Sequence, residues 1–155
     1  MKAKPIHIVV MLLVLLFIVQ LSPVQAGSAG VSWLPYAEGM ALGKSQKKKV
    51  FINFFATWCS VCRMMDTKTF KDAAVIDYLN ANVRTVQVDV DKEQEVAAHY
   101  HIRPLPDMWF VSEQGDPIGN KPGYISPEEM LPVLKFIKTD SYLKMSYQDF
   151  LDSLQ

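Results

Sequence analysis

The sequence predicts an α/β protein in which helices pack on a layered sheet. Short apolar runs rich in β-branched and aromatic residues alternate with segments whose apolar residues recur at helical spacing. Polar side chains that can cap helices stand at several of the boundaries between these segments. This alternation is typical of a sheet covered by helices, and 155 residues are enough for one domain with a sizeable core.

The first elements are a helix and a buried strand. We expect Ser32 to cap a helix over residues 33–42, whose apolar residues follow a helical period, and Gly43 with the lysines after it to end that helix. Residues 50–55, apolar and β-prone except for Asn53, predict a buried strand. A second helix is expected to begin at about Cys59, directly after this strand.

The middle of the chain repeats this order. Asp72 is expected to cap a short helix over residues 73–79, which places apolar side chains on one face. The valines of residues 83–90 alternate with polar residues and predict the next strand. Asp91 is expected to cap a helix over residues 92–100.

The last part of the domain is predicted to contain two strands and a helix. Residues 108–111 and about 117–119 read as strands separated by turn residues. Ser126 followed by Pro and two Glu predicts a capped helix through residue 137. Residues 139–155 form a C-terminal extension, whose apolar residues we expect to dock on the domain; a partner-binding role is the alternative.

The N-terminus has the pattern of an export signal. Lys2 and Lys4 precede an unbroken apolar run at 8–19, and a small-x-small cleavage pattern ends at residue 26. We interpret residues 1–26 as a secretory signal peptide, with an uncleaved membrane anchor as the alternative.

The remaining charge argues against nucleic-acid binding. Without the leader, 14 basic side chains stand against 16 acidic ones, a net charge of −2, and no basic surface is indicated. The run of three lysines at 47–49 is expected to be a solvated helix end, where cations suit the helix dipole.

The two cysteines of the chain, Cys59 and Cys62, lie where a strand ends and a helix begins. Unpaired backbone N–H groups and the helix dipole favour a thiolate there, so Cys59 is the expected nucleophile, and Cys62, one turn further, can resolve a mixed disulfide. A loop this short removes little entropy from the unfolded chain, which favours a redox pair over a structural disulfide. Zinc would need about four ligands.

The sequence around these cysteines is similar to that of a known family. Residues 54–63 read Phe-Phe-Ala-Thr-Trp-Cys-Ser-Val-Cys-Arg and resemble the active-site stretch of thioredoxin-fold proteins. Residues 100–107 resemble the segment in which that family carries a cis-proline facing the dithiol. The resemblance covers roughly residues 32–138, after a linker at 27–31. It implies a three-layer α/β/α sandwich with a central mixed sheet, with an extra N-terminal helix and a short C-terminal helical extension.

The resemblance also assigns residues that shape the site. It makes Pro106 the cis-proline, with Pro104 as the alternative. Because proline has no N–H, the backbone of the neighbouring Leu105 is left to pair with an extended substrate segment. Trp58 is expected to shield the dithiol and to offer an apolar contact to a partner, and plain core packing is the alternative.

Two positions depart from the pattern of the family. Thioredoxins usually have a buried aspartate six residues before the first cysteine, as a proton acceptor for the second thiol; here Asn53, which cannot take a proton, stands there. After the cis-proline most have threonine, and here Asp107 follows. One hypothesis is that Asp107 replaces the lost acid and tunes the thiols. The interpretation we favour from sequence is a solvent-facing carboxylate, since acids are seldom buried.

The residues between the cysteines bear on the direction of electron flow. Ser60 and Val61 supply no histidinium that would stabilise the reduced thiolate, so the sequence favours a reductant or an electron relay over an oxidant.

Two other classes of function stay open from sequence alone. His99 and His101 together with the cysteines are compatible with a copper or zinc carrier on the same scaffold. A binding module with a vestigial dithiol is the other, and Asn53 is its best support.

The predicted function is that of an exported, periplasmic thiol–disulfide oxidoreductase. We expect it to exchange the dithiol with client proteins that carry disulfides, to need no cofactor or metal, and to be a monomer. The resemblance implies a membrane thiol reductant similar to DsbD as its electron donor.

Overall fold

The computed structural model describes residues 30–155, so the predicted signal peptide and most of the predicted linker lie outside the described residues. The strands are β1 (Val50–Phe55), β2 (Arg84–Asp89), β3 (Asp107–Val111) and β4 (Pro117–Pro122). The helices are α1 (Tyr36–Ser45), α2 (Ser60–Thr67), α3 (Ala73–Asn82), α4 (Gln94–His99), α5 (Pro127–Lys138) and α6 (Tyr147–Asp152), with 3-10 turns at Thr69–Lys71 and Ser141–Leu143. None of the helices within residues 30–155 has the length and apolarity that a bilayer crossing requires.

The four strands form one mixed sheet in the order β2-β1-β3-β4. β1 pairs with β2 in parallel and with β3 antiparallel, and β4 closes the other edge antiparallel to β3. β1 is central and almost wholly buried, which explains why its sequence is apolar at every position except Asn53 rather than alternating.

Helices cover both faces of the sheet and create two cores. One face of β1 and β3 packs against apolar residues of α2, α3 and α5, with Phe51 at the centre. The other face packs against α1 and the end of α4, where Tyr36 and Tyr100 meet. Successive side chains of β1 point to opposite faces of the sheet and so contribute to the two cores in turn. The predicted three-layer α/β/α sandwich is confirmed.

The start of the domain differs from the prediction. The sequence predicts a helix over residues 33–42 capped by Ser32, but residues 32–35 are not helical, and Leu34 pairs in parallel with Val86 at the free edge of β2. The helix begins only at Tyr36, after Pro35. Proline disfavours the helical conformation in the residue before it, and the edge of β2 supplies the hydrogen bonds that a helix would have provided.

The prediction for the lysine run is wrong at Lys49. This side chain is only 3% exposed, and its ammonium lies 2.9 Å from Glu113 Oε1 and 2.8 Å from Asp140 Oδ1. Burial alone would lower the pKa of Lys49, but hydrogen bonds from its ammonium to the two carboxylates outweigh it and raise the pKa. The tertiary fold brings these acids from distant parts of the chain to the base of β1, so sequence spacing does not reveal them.

The C-terminal extension packs on α5. Phe136 of α5 contacts the rings of Tyr142, Tyr147 and Phe150. Ser146 caps α6 by accepting a hydrogen bond from Asp149 N–H.

Candidate functional site

The dithiol stands at the junction of β1 and α2. Cys59 is the N-cap of α2, and its Sγ accepts a hydrogen bond of 3.0 Å from the backbone N–H of Cys62. The first turn of α2 contains no acidic residue. A thiolate on Cys59 therefore receives a backbone N–H and the positive end of the helix dipole, both of which stabilise the anion.

The two cysteines form a disulfide in this structure, with their Cα atoms 5.2 Å apart. Cys59 is 6% exposed and Cys62 only 2%. Of the two, Cys59 lines a shallow groove of about 330 Å³, together with Trp58, Ser60, Val61, Arg103 and Leu105. A partner that lies in this groove therefore reaches the sulfur of Cys59 and not that of Cys62.

Trp58 forms a projecting wall of the groove. It is 67% exposed, which rules out core packing as its main role. Its indole Nε1 donates a hydrogen bond of 2.9 Å to Asp91 Oδ2. Asp91 was predicted to cap the helix that follows it, but α4 begins at Gln94, and the carboxylate of Asp91 orients the tryptophan instead.

The segment before β3 forms the opposite wall. The Leu105–Pro106 peptide bond is cis, so the special proline is Pro106 and not Pro104. Pro106 is buried, Leu105 is half-buried beside the cysteines, and Pro106 C=O accepts a hydrogen bond of 2.8 Å from Gly123 N–H. Within residues 30–155 the Leu105 backbone makes no backbone hydrogen bond, so its N–H and C=O are left for an extended peptide.

Asn53 is buried on the face of β1 that α2 covers. It is 2% exposed, and its Oδ1 has no hydrogen-bond partner among the described residues. In the sheet register it lies next to Gln87 of β2, another amide. This position beneath the dithiol therefore holds two neutral polar side chains, neither of which accepts a proton.

Asp107 is not the solvent-facing carboxylate that we favoured from sequence. It is only 3% exposed, and it accepts hydrogen bonds of 3.1 Å from Trp109 Nε1 and Asn120 Nδ2. In the register it lies opposite Phe54, so it occupies the face of the sheet opposite to that of Asn53 and does not stand in the place of the lost acid. The tertiary partners of β3 and β4 make this burial possible.

Asp107 makes the stability of the protein depend on pH. Burial raises the pKa of Asp107, although hydrogen bonds from Asn120 and Trp109 oppose this. The folded state therefore holds the proton of Asp107 more strongly than the unfolded state does. As a result, the free energy of unfolding falls as the pH rises from about 3.9, the ordinary pKa of an aspartate, through the higher pKa of the folded state. We expect Asp107→Asn to unfold in urea with a weaker loss of stability across this interval.

Asp77→Asn is the matched control, because it makes the same change at an exposed position of α3. The control should keep the pH dependence of the wild type. If Asp107→Asn also keeps the wild-type pH dependence, the expectation is wrong. It is also wrong if this variant is much less stable than the wild type at neutral pH, because the hydrogen bonds to the charged carboxylate would then outweigh its burial.

The structure offers no specific support for a metal carrier. His99 and His101 are exposed, and His99 packs edge-on against Tyr100. Within residues 30–155, no three His, Cys, Asp or Glu side chains converge as ligands.

Sequence reasoning missed several residues of the site. Arg103 lines the groove, Asp91 holds Trp58, and Asn120 of β4 holds Asp107. Of these, only Arg103 could have been found from the sequence, because it lies three residues before Pro106 in the segment predicted to face the dithiol. The other two act through contacts between distant segments.

Comparison with known families gives one match over most of the described chain. A family model described as a thioredoxin-like domain matches residues 36–138. The matched region includes the dithiol, both walls of the groove and all four strands.

Individual relatives point the same way. Thioredoxin of Bos taurus is 35% identical over 88 residues, which are 57% of this chain and 79% of that protein. The thiol:disulfide interchange protein DsbD of Vibrio vulnificus is 35% identical over 85 residues, which are 52% of this chain but only 14% of DsbD.

Solved structures share the fold. A thioredoxin from Thermus thermophilus superimposes with a TM-score of 0.62 at 29% identity, over 68% of this chain and 85% of that one. A structure titled DsbH oxidoreductase superimposes with a TM-score of 0.63 over 82% of this chain and 92% of that one; at 22% identity it supports the fold alone.

Proposed function

This chain belongs to the thioredoxin-like family, and from that premise we propose that it is an exported thiol–disulfide oxidoreductase that acts on proteins with disulfides. The observation that carries the proposal is the asymmetry of the dithiol. Cys59 borders the groove and accepts the N–H at the start of α2, whereas Cys62 is buried behind it. One accessible, stabilised thiolate backed by a second thiol is what dithiol exchange requires.

The exchange proceeds in two steps. The Cys59 thiolate attacks one sulfur of a client disulfide, which forms a mixed disulfide and releases the other client sulfur as a thiolate. Cys62 then loses its proton and attacks Cys59 Sγ, so the client leaves reduced and the Cys59–Cys62 disulfide remains. Trp58 and Leu105 flank the client segment, and the free backbone of Leu105 pairs with it.

Features of the sequence support a proposed direction and place for this reaction. Ser60 and Val61 lack the histidine that would favour an oxidant, so we propose a reductant or electron relay. The signal-like residues 1–26 support export to the periplasm. A membrane thiol protein similar to DsbD is the proposed electron donor; the similarity of this chain to part of DsbD is compatible with a shared relay chemistry.

The reduction potential of the Cys59–Cys62 couple tests the proposal. The full chain is equilibrated with dithiothreitol or glutathione buffers, and the fraction of dithiol is measured by alkylation. We expect a value near that of thioredoxin, about −270 mV. A value near about −120 mV would make the protein an oxidant like DsbA, and a dithiol that does not equilibrate reversibly would remove the oxidoreductase function altogether.

A further inference from the structure

The position under the dithiol lacks an acid, yet the helix that carries Cys62 also carries a carboxylate, Asp66, one turn further on. Asp66 is four residues after Cys62 in α2, which puts the two side chains on the same face of the helix. Residues at this spacing have Cβ atoms roughly 5–6 Å apart, and helical side chains lean towards the N-terminus. The spacing therefore places Asp66 one helical turn from Cys62, within reach of its sulfur directly or through one water.

The surroundings of Asp66 link it to the neutral pair beneath the dithiol. Asp66 is half-buried and lines a cavity of about 310 Å³ together with Gln87, the neighbour of Asn53 on β2. The cavity has polar side chains at Asp66, Lys71 and Gln87 and is large enough for water, which can relay a proton over a distance that direct contact does not cover. Asp66 and the buried, unpartnered Oδ1 of Asn53 thus lie on the same side of the sheet.

Among residues 30–155, no charged group forms an ion pair with Asp66. Lys71 lines the same cavity but makes no ion pair with it among the described residues, and the Arg63 guanidinium donates instead to Thr57 C=O. Burial raises the pKa of Asp66, so its carboxylate takes up a proton more readily than an exposed one does.

The other carboxylates near the site already have partners. Asp91 accepts a hydrogen bond from Trp58, and Asp107 accepts hydrogen bonds from Trp109 and Asn120 on the far face of the sheet. Asp89 pairs with Lys92. Asp66 makes no side-chain hydrogen bond or ion pair with a described residue and is therefore the carboxylate left to serve Cys62.

We propose that Asp66 is the proton acceptor for Cys62 when the mixed disulfide is resolved, in place of the acid that Asn53 does not provide. The inference rests on the proposed dithiol exchange. The Cys62 thiol gives its proton to the Asp66 carboxylate, directly or through one water, and its sulfur attacks Cys59 Sγ. The bond from Cys59 to the client sulfur breaks, and the client leaves as a thiolate with the electron pair.

The test isolates the resolving step in the full chain. The reduced protein is mixed with excess 5,5′-dithiobis(2-nitrobenzoate), and the coloured thiolate appears in two phases. The first depends on reagent concentration and reports the attack of Cys59. The second is intramolecular and reports the attack of Cys62. Both phases are recorded against pH for the wild type, Asp66→Asn and the control Asp77→Asn, which changes an exposed carboxylate on α3.

We expect Asp66→Asn to slow the second phase at least about tenfold at mildly acidic pH, because the thiol has lost its base, and to match the wild type at alkaline pH, where Cys62 is already ionised. The first phase should change little. In a Cys59→Ser background, Asp66→Asn should also lower the pKa of the Cys62 thiol by about one unit, since a neighbouring negative charge is removed.

A second phase with the wild-type pH profile, or one slowed equally at every pH, would overturn the assignment and leave Asp66 a structural residue. Failure of the proposed function looks different. In that case the wild type itself would show no intramolecular second phase, whatever stands at position 66.

Discussion

Replacing Cys62 with serine will convert the protein into a trap that attacks disulfides and does not release them. Cys59 keeps its place at the N-cap of α2 and its opening to the groove, so the first attack proceeds. The buried second sulfur, which resolves the mixed disulfide as an intramolecular neighbour, is gone. Because such neighbours act at very high effective concentrations, we expect catalysed insulin reduction by dithiothreitol to fall at least about a thousandfold. The measurement is turbidity, with mass spectrometry of the covalent adduct.

Cys59→Ser is the informative companion variant. Cys62 does not line the groove, so this variant should lose catalysis without accumulating an adduct. An adduct on Cys62 in the Cys59→Ser protein, at a yield equal to that of the trap, would contradict the assignment of nucleophile and resolving thiol.

Replacing Phe51 with alanine will cause the largest loss of stability that we expect from a single substitution. Phe51 is fully buried near the start of β1, and its ring centroid lies 6.2 Å from that of Trp33, 6.2 Å from that of Phe70 and 5.5 Å from that of Phe110. Removing a ring enclosed in this way deletes apolar burial and leaves a cavity, at a cost of about 3–5 kcal/mol. Since domains are stable by about 5–15 kcal/mol, a large part of the total would disappear.

Urea unfolding of the oxidised protein, followed by tryptophan fluorescence, measures this loss. Leu143→Ala is the control, because Leu143 is 71% exposed and its truncation should change stability by less than about 0.5 kcal/mol. A loss of about 1 kcal/mol or less in Phe51→Ala would mean that the extended segment at Trp33 closes over the gap, or that it does not pack against β1 in solution.

The sequence was sufficient to predict the main elements around the site. The apolar run before Cys59 predicted the central strand, the spacing of the cysteines predicted a dithiol at a helix start, and residues 100–107 predicted the proline segment facing it. Each of these signals is local, because a buried strand, a helix cap and a proline leave their marks within a few residues. The structure shows that Trp58 is exposed, whereas the sequence allowed either a contact for a partner or packing in the core.

Two of the errors, those at Lys49 and Asp107, share one cause. Lys49 and Asp107 looked like surface charges because isolated charges are seldom buried. Both are buried because partners far along the chain, Glu113 and Asp140 in one case and Asn120 in the other, meet them through the sheet and the C-terminal segment.

The sequence by itself therefore determined the α/β fold, the family resemblance and the two sulfurs that carry the chemistry. Only the tertiary structure decided how far each sulfur is exposed at the groove, which face of the sheet each polar side chain occupies, and that Asp66 shares a cavity with Gln87, the sheet neighbour of Asn53. Hydrophobic period and capping are properties of neighbours in sequence, whereas burial and the environment of a charge are set by segments that become neighbours only on folding.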